Sequence, residues 1–218
     1  MKLVGHTNES CDTAGFDGLF SQVKAELNFL RLPYFSTCKS AQNRFLELVE
    51  TVERDGVKET IEWRVVPDPR LGLPGAIERN VMLWILKRAD ELRPSANAPV
   101  PAWIEIGTFY SICTELGIKA HGESFARIRK AIDKATRQYV TSGKAFCFLE
   151  EWGFKGEKRH EELLGSNYIS LHPYVRQNLD AFYVKSIDWA LLRSFDCEIA
   201  ALLYPHLSCV FHGMRKEQ

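Results

Sequence analysis

The chain lacks several features that would assign it to a specialised class of protein. Its net charge is zero, because 28 basic residues balance 28 acidic ones, and this balance argues against a protein that coats nucleic acid over its whole surface. No apolar run is long enough to span a membrane. Residues 1–15 have no apolar core of the kind that a secretory signal needs. We therefore expect a cytoplasmic protein with no membrane partner.

Metal and catalytic motifs are also absent. The six cysteines show no metal-ligand spacing, and free thiols in a reducing compartment are their expected state. The histidines show no ligand spacing either. The sequence contains neither a Gly-x-Ser-x-Gly nucleophile motif nor a Gly-x-x-x-x-Gly-Lys-Ser/Thr phosphate loop. We expect no cofactor, no metal and no enzymatic activity.

What remains is an ordinary globular composition, with 45% hydrophobic and 26% charged residues. The strongest pattern in it predicts a basic amphipathic helix over 124–139. One side of this helix is apolar, with Phe125, Ile128, Ile132, Ala135 and Tyr139. The opposite side is cationic, with Arg127, Lys130, Lys134 and Arg137. Residues 119–144 carry seven basic and two acidic side chains, a local charge of +5 in a neutral chain.

The elements around this helix predict an α+β fold. A second helix over 108–116 precedes it, and the turn between them carries Gly117 and Gly122, which is typical of a helix-turn-helix. Upstream lie a predicted strand at 103–106 and a helix at 77–92 that is apolar nearly all round. Downstream, β structure is predicted over 140–152 with a turn at Ser142 and Gly143. A returning strand follows at 168–171, and a polar hairpin tip at 155–165 separates the two. This order predicts a winged helix-turn-helix.

The rest of the chain divides into smaller predicted units. We expect a flexible tail over 1–18, a winged-helix domain over 19–175 and a C-terminal helical segment over 176–218. The winged-helix domain would include an extended segment at 27–35 and a strand at 59–66. The C-terminal segment would contain helices at 187–193 and 197–211. The second of these is apolar and needs a covering surface.

Three stretches of the sequence resemble the plasmid replication initiator protein A family of bacteria. They are 71–75 leading into 80–86, then 122–132, then 183–195 followed by 199–207. The third is the most specific, because its Tyr-Val-Lys-Ser-Ile-Asp run at 183–188 precedes an apolar helix. The resemblance implies two winged-helix domains in tandem, of which the second would stop after its opening helices. It also implies a plasmid- or nucleoid-associated protein and host replication partners.

The candidate DNA-binding residues are Ser124, Arg127, Lys130, Lys134, Arg137, Lys119 and Lys144. Lysine and arginine supply phosphate contacts, whereas Ser124 and Arg127 near the helix start are best placed for base edges. A solvated helix face of mixed charge is the other interpretation of the same residues. Arg129 is expected to pair with Asp133 one turn later. The residues Lys155, Lys158, Arg159 and His160 form either a phosphate-contacting tip or a plain solvated loop.

The function expected from these features is plasmid replication initiation by binding double-stranded origin DNA. A homodimer is expected, built on the 197–211 helix or on the segment near Leu27. Two other functions stay open: a winged-helix transcriptional regulator, and an assembly module whose basic helix contacts no DNA. The five tryptophans are expected to pack in the core.

Overall fold

The computed structural model describes residues 22–37, 45–54, 57–142, 144–159, 162–163 and 165–211. The predicted tail over 1–18 therefore lies outside the described residues. The helices are α1 (Leu27–Arg31), α2 (Ala76–Glu91), α3 (Phe109–Leu116), α4 (Gly122–Arg137), α5 (Pro173–Asp180), α6 (Trp189–Ser194) and α7 (Glu198–Val210). The strands are β1 (Gln22–Glu26), β2 (Leu46–Arg54), β3 (Val57–Val66), β4 (Ile104–Glu105), β5 (Tyr139–Ser142), β6 (Lys144–Phe146), β7 (Leu149–Gly153), β8 (Lys158–Arg159), β9 (Glu162–Leu163), β10 (Tyr168–Leu171) and β11 (Val184–Asp188).

The strands form small antiparallel sheets, which together with the helices make a mixed α+β fold. One sheet has the order β4-β10-β7, a second β2-β3-β5-β6, and β1-β11 and β8-β9 are two-stranded. In the first sheet Ile169 is paired with Ile104 on one side and Trp152 on the other. The chain order α2-β4-α3-α4-β7-β10 is compatible with a winged helix-turn-helix. We call residues 149–171, from β7 to β10, the ribbon.

The prediction of β structure over 140–152 needs a correction. Three strands lie there, and the first two belong to a different sheet from the third. β5 pairs with β3 through Val140 and Val65, both fully buried, and β6 pairs with β5. The first strand of the segment, β5, therefore pairs with β3, which the sequence predicted to be a strand.

Helix α2 lies at the centre of the hydrophobic core, as its apolar surface predicted. Residues 81–86 are all buried. Helix α4 packs against α2, α3 and β7, and its Ile128 and Ile132 are fully buried. The apolar side predicted for α4 is thus the side that faces the core, except that Tyr139 lies beyond the helix in β5.

The segment at 27–35 packs on the core as predicted, but its first part is helical rather than extended. The carboxylate of Glu26 accepts a hydrogen bond from the backbone N of Phe29 at 3.1 Å and so caps the single turn of α1. Phe29, Leu30 and Tyr34 are buried. The short helix was missed because one turn is too brief to produce a helical period.

The tryptophan prediction is correct for Trp63, Trp84 and Trp189, which are buried. Trp152 is half-buried. Trp103 contradicts the prediction, because its side chain is 55% exposed. It precedes the edge strand β4 and packs edge-on against Tyr168, with 5.0 Å between the ring centroids.

The C-terminal helices occur where the sequence predicted them. Asp188 caps α6 by accepting a hydrogen bond from the backbone N of Leu191 at 2.9 Å. Helix α7 packs against α1, α6 and β11. β11 pairs with β1 along all five residues. The predicted boundary between residues 175 and 176 puts these two strands in different units, although they share a sheet. In the described part of the chain, no helix is both long and apolar enough to cross a membrane.

Candidate nucleic-acid interface

Helices α3 and α4 pack against each other and lie where the sequence predicted a helix-turn-helix. Thr108 caps α3 by accepting a hydrogen bond from the backbone N of Ser111 at 3.1 Å. Gly117 ends the helix in the left-handed region, at φ +68°. A Cβ added at Gly117 would also lie 2.1 Å from the Arg193 Nη2, so the guanidinium of Arg193 in α6 would have to shift. Gly122, in contrast, is the first residue of α4 rather than part of the turn.

Three of the predicted DNA-binding residues lie exposed on this helix-turn-helix. They are Arg127 and Lys130 on α4 and Lys119 in the turn before it. None of the three has an ion-pair or hydrogen-bond partner among the residues that the structure describes. We call these three side chains the basic face. Their exposure agrees with the outward direction that helical spacing predicted for Arg127 and Lys130.

Lys134 contradicts the prediction, because it is buried. Its side-chain Nζ lies 2.7 Å from Glu78 Oε1 and donates a hydrogen bond to the backbone O of Leu73 at 3.0 Å. Glu78 is itself buried, and its second oxygen accepts a hydrogen bond from the backbone N of Gly75 at 2.8 Å. The Lys134 ammonium is therefore neutralised and tied to the loop that leads into α2. It faces protein and not solvent.

Ser124 is also buried rather than available to a base edge. Only 4% of the residue is exposed, and its Oγ lies 3.3 Å from the His121 Nε2. Helix α4 begins at Gly122, two residues earlier than predicted, and this places Ser124 inside the first turn against the protein. The prediction that Ser124 contacts DNA is therefore corrected.

Two further arginines of α4 are exposed but paired with acidic residues. Arg137 donates a hydrogen bond from Nε to Asp133 Oδ1 at 2.9 Å, and this bond raises the pKa of Arg137. The sequence predicted that Arg129 pairs with Asp133. In the structure Arg129 pairs instead with Glu157 of the ribbon. Asp133 is four residues from both arginines, so spacing alone did not distinguish the two possible pairs.

The remaining predicted residues do not belong to α4. Lys144 begins β6 in the sheet with β3, and its side chain is outside the described part of the chain. The same applies to the side chains of Lys158 and Arg159 and to His160. Lys155 is exposed at the base of the ribbon.

Asn167 and Glu157 hold the ribbon next to the helix-turn-helix, and the sequence analysis missed both. The Asn167 side chain accepts a hydrogen bond from the backbone N of Lys155 at 2.7 Å and donates one to the backbone O of Gly107 at 2.6 Å. Gly107 directly precedes the cap of α3. Single polar residues in a loop carry no periodic signal, so no pattern marked them.

Within the described residues, no group of three histidine, cysteine or acidic side chains is arranged to hold a metal ion. The described cysteines are free thiols, and burial raises the pKa of the Cys113 and Cys147 thiols. The predictions for Cys11 and Cys38 lie outside the described residues.

Comparisons with known proteins identify a similar fold but no family. No protein-family model matches the chain, and no curated protein matches it in sequence. Among solved structures, the chain is similar to the selenomethionine derivative of domain 2 and domain 3 of RctB. The TM-score is 0.54 at 12% identity, over 88% of this chain and 71% of that chain. At this identity the likeness is one of fold alone, and it is compatible with the predicted winged-helix class.

Proposed function

We propose that this chain binds double-stranded DNA through the basic face and acts in the initiation of plasmid replication. The observation that carries the proposal is that Arg127, Lys130 and Lys119 lie exposed on a helix-turn-helix, with no acidic partner among the described residues. Domains 2 and 3 of RctB have a similar fold. This likeness of fold is compatible with the proposal, and the replication role rests on the three stretches that resemble the plasmid initiators.

The mechanism is binding rather than chemistry. Helix α4 has 16 residues, about 24 Å of helix, which is enough to lie along a major groove. Arg127 is near its start, where recognition helices contact base edges, and a guanidinium binds guanine O6 and N7 with two hydrogen bonds. Lys130 and Lys119 would contact phosphates, and the ribbon would lie against the neighbouring backbone.

The buried Lys134 reduces the charge that α4 offers to DNA. With Arg129 and Arg137 also paired to carboxylates, the basic face consists of three cations. On a duplex without the cognate site, Arg127 would contact phosphate as Lys130 and Lys119 do, and three phosphate contacts predict that log K falls with log salt with a slope of about −2.7. One subunit would therefore bind DNA modestly, and several subunits on repeated sites would be needed for tight origin binding.

A second copy of the chain is the expected partner at α7. Ile199, Leu203 and Leu207 of α7 and the capping Phe211 are exposed and follow one another at intervals of four, so they line one side of the helix. We call them the α7 stripe. Two such helices can cover each other, because an isologous interface uses the same surface twice. The stripe supports the homodimer that the sequence predicted.

The competing function is an assembly module that contacts no DNA. The pairing of Lys134, Arg129 and Arg137 with acidic residues favours it, because these cations serve the protein's own structure. Binding to a short random duplex at two salt concentrations tests the choice. A steep loss of affinity at the higher salt supports phosphate contact, whereas no binding at low salt supports assembly. Footprinting on the encoding replicon then distinguishes an origin from an operator.

A further inference from the structure

Arg129 connects helix α4 to the ribbon. We propose that Arg129 is a positioning residue: together with Glu157 it holds the outer part of the ribbon, beyond β7, at a fixed angle to α4, and it does not itself bind DNA. This inference rests on the proposed function, because the angle decides whether the ribbon and the basic face reach the same duplex.

Among the described residues, the ion pair and the ring contacts of Arg129 all lead to the ribbon. Its Nη2 forms an ion pair with Glu157 Oε1. The guanidinium carbon lies 4.6 Å from the ring centroid of Phe154 and 5.8 Å from that of Trp152. A guanidinium that is held by a carboxylate and lies over aromatic rings is fixed in direction as well as in position. The arginine therefore constrains orientation, which a single ion pair would not do.

Glu157 holds the other side of this connection. Its second oxygen, Oε2, accepts a hydrogen bond from the backbone N of Phe154 at 3.2 Å. The backbone N of Glu157 donates to the backbone O of Phe154 at 3.0 Å, which closes a tight turn. β8 begins at the next residue, Lys158. One carboxylate thus joins the helix, the turn at the base of the ribbon and the start of its outer part.

The exposure of the pair indicates a role in geometry more than in stability. The side chain of Arg129 is 50% exposed and that of Glu157 34%. Ion pairs this exposed contribute little to the free energy of unfolding. Variants of either residue should therefore fold, and a change in their DNA affinity reports on the position of the ribbon.

The decisive variant is Glu157→Gln, because two accounts predict opposite changes in its affinity for DNA. If only charge mattered, removing a carboxylate beside a DNA-binding helix would raise the affinity for DNA. If Glu157 positions the ribbon, the affinity falls, by about fivefold. Glu123→Gln is the matched control, since Glu123 is an exposed carboxylate at the start of α4 with no partner among the described residues. It should leave the affinity unchanged or raise it.

Arg129→Gln should reproduce the loss without changing the salt dependence. A residue that contacts phosphate lowers the steepness of the salt slope by about 0.9 when it is removed, whereas a positioning residue leaves the slope as it was. The double variant Arg129→Gln with Glu157→Gln should lose no more than either single variant, because both remove the same connection. A slope reduced by about 0.9 in Arg129→Gln, or tighter binding by Glu157→Gln, would overturn the proposal.

A measurement without DNA separates this inference from the proposed function. The Phe154 amide donates a hydrogen bond to the Glu157 carboxylate. Its hydrogen exchange should become faster in both single variants, while the Ile112 amide inside α3 keeps its rate. Faster exchange together with no DNA binding by the wild-type chain would support the connection and refute the proposed function. Unchanged exchange at Phe154 would refute the connection, whatever the DNA result.

Discussion

The ion pair between Lys134 Nζ and Glu78 Oε1, 2.7 Å apart, joins the helix of the basic face to the start of the buried helix α2. Both side chains are almost fully buried, with 7% and 10% of their surfaces exposed. A lysine that looks like a DNA contact in the sequence is therefore part of the protein's interior. It fixes α4 on α2 and leaves Arg127 and Lys130 directed at solvent.

Lys134→Gln should destabilise the fold, because the carboxylate of Glu78 would stay buried without its cation. Breaking a buried pair from one side costs about 3 kcal/mol. Urea denaturation should show this as a lower unfolding midpoint, with no such change in the exposed Lys130→Gln control. If the Lys134→Gln protein instead has wild-type stability and binds DNA more weakly, Lys134 belongs to the basic face.

A pH dependence is expected from His172, which caps α5. Its Nδ1 accepts a hydrogen bond from the backbone N of Tyr174 at 3.2 Å, and only the neutral ring can accept it. Burial lowers the pKa of His172. A base whose pKa is lower in the folded than in the unfolded protein adds stability at pH values above its ordinary pKa. This stability is lost as the pH falls through the lowered pKa.

His172→Asn tests this dependence, because asparagine caps a helix without titrating. The wild-type chain should lose more stability than the variant between about pH 8 and about pH 5.5, the range in which an ordinary histidine titrates. The measurement is the urea midpoint of both proteins at each pH. Equal losses in the two proteins would show that His172 is not the group responsible.

The α7 stripe predicts a dimer in solution. Leu207→Gln should shift sedimentation toward the monomer, because an exposed leucine at a helix interface becomes polar. The exposed His206 lies next to Leu207 but outside the stripe, so His206→Gln is the control and should leave the dimer intact. A wild-type chain that stays monomeric at high concentration would contradict the dimer.

The sequence predicted the elements whose signals are local. The residues of α2 are apolar nearly all round, those of β3 alternate with a period of two, and Gly117 marks the end of α3. Pairings between distant residues were not predictable in this way. Glu78 lies far from Lys134 in the chain, and Glu157 is one of several acidic residues beside a polar loop. Helix α5 was missed because its short sequence offers only Val175 and Leu179 to the core.

The same difference between local patterns and distant pairings explains which residues of the candidate site were predicted correctly. Helical spacing gave Arg127 and Lys130 their correct outward direction. It gave Lys134 the same direction, although Ala131 and Ala135 beside it are small and buried. Small residues let α4 lie close to α2, and at that distance the lysine stem is enclosed by protein. The depth of helix packing depends on both helices, so one helical pattern could not reveal it.

The most direct test of the account is the salt dependence of binding to a short random duplex, for the wild-type chain and for Arg127→Gln, Lys130→Gln and Arg31→Gln. Arg31 is an exposed arginine at the end of α1, and it is the control for loss of one positive charge. We predict a wild-type slope of about −2.7, made less steep by about 0.9 in each α4 variant and unchanged in Arg31→Gln. No binding at low salt, or an equal change in all three variants, would contradict the proposal that α4 meets DNA.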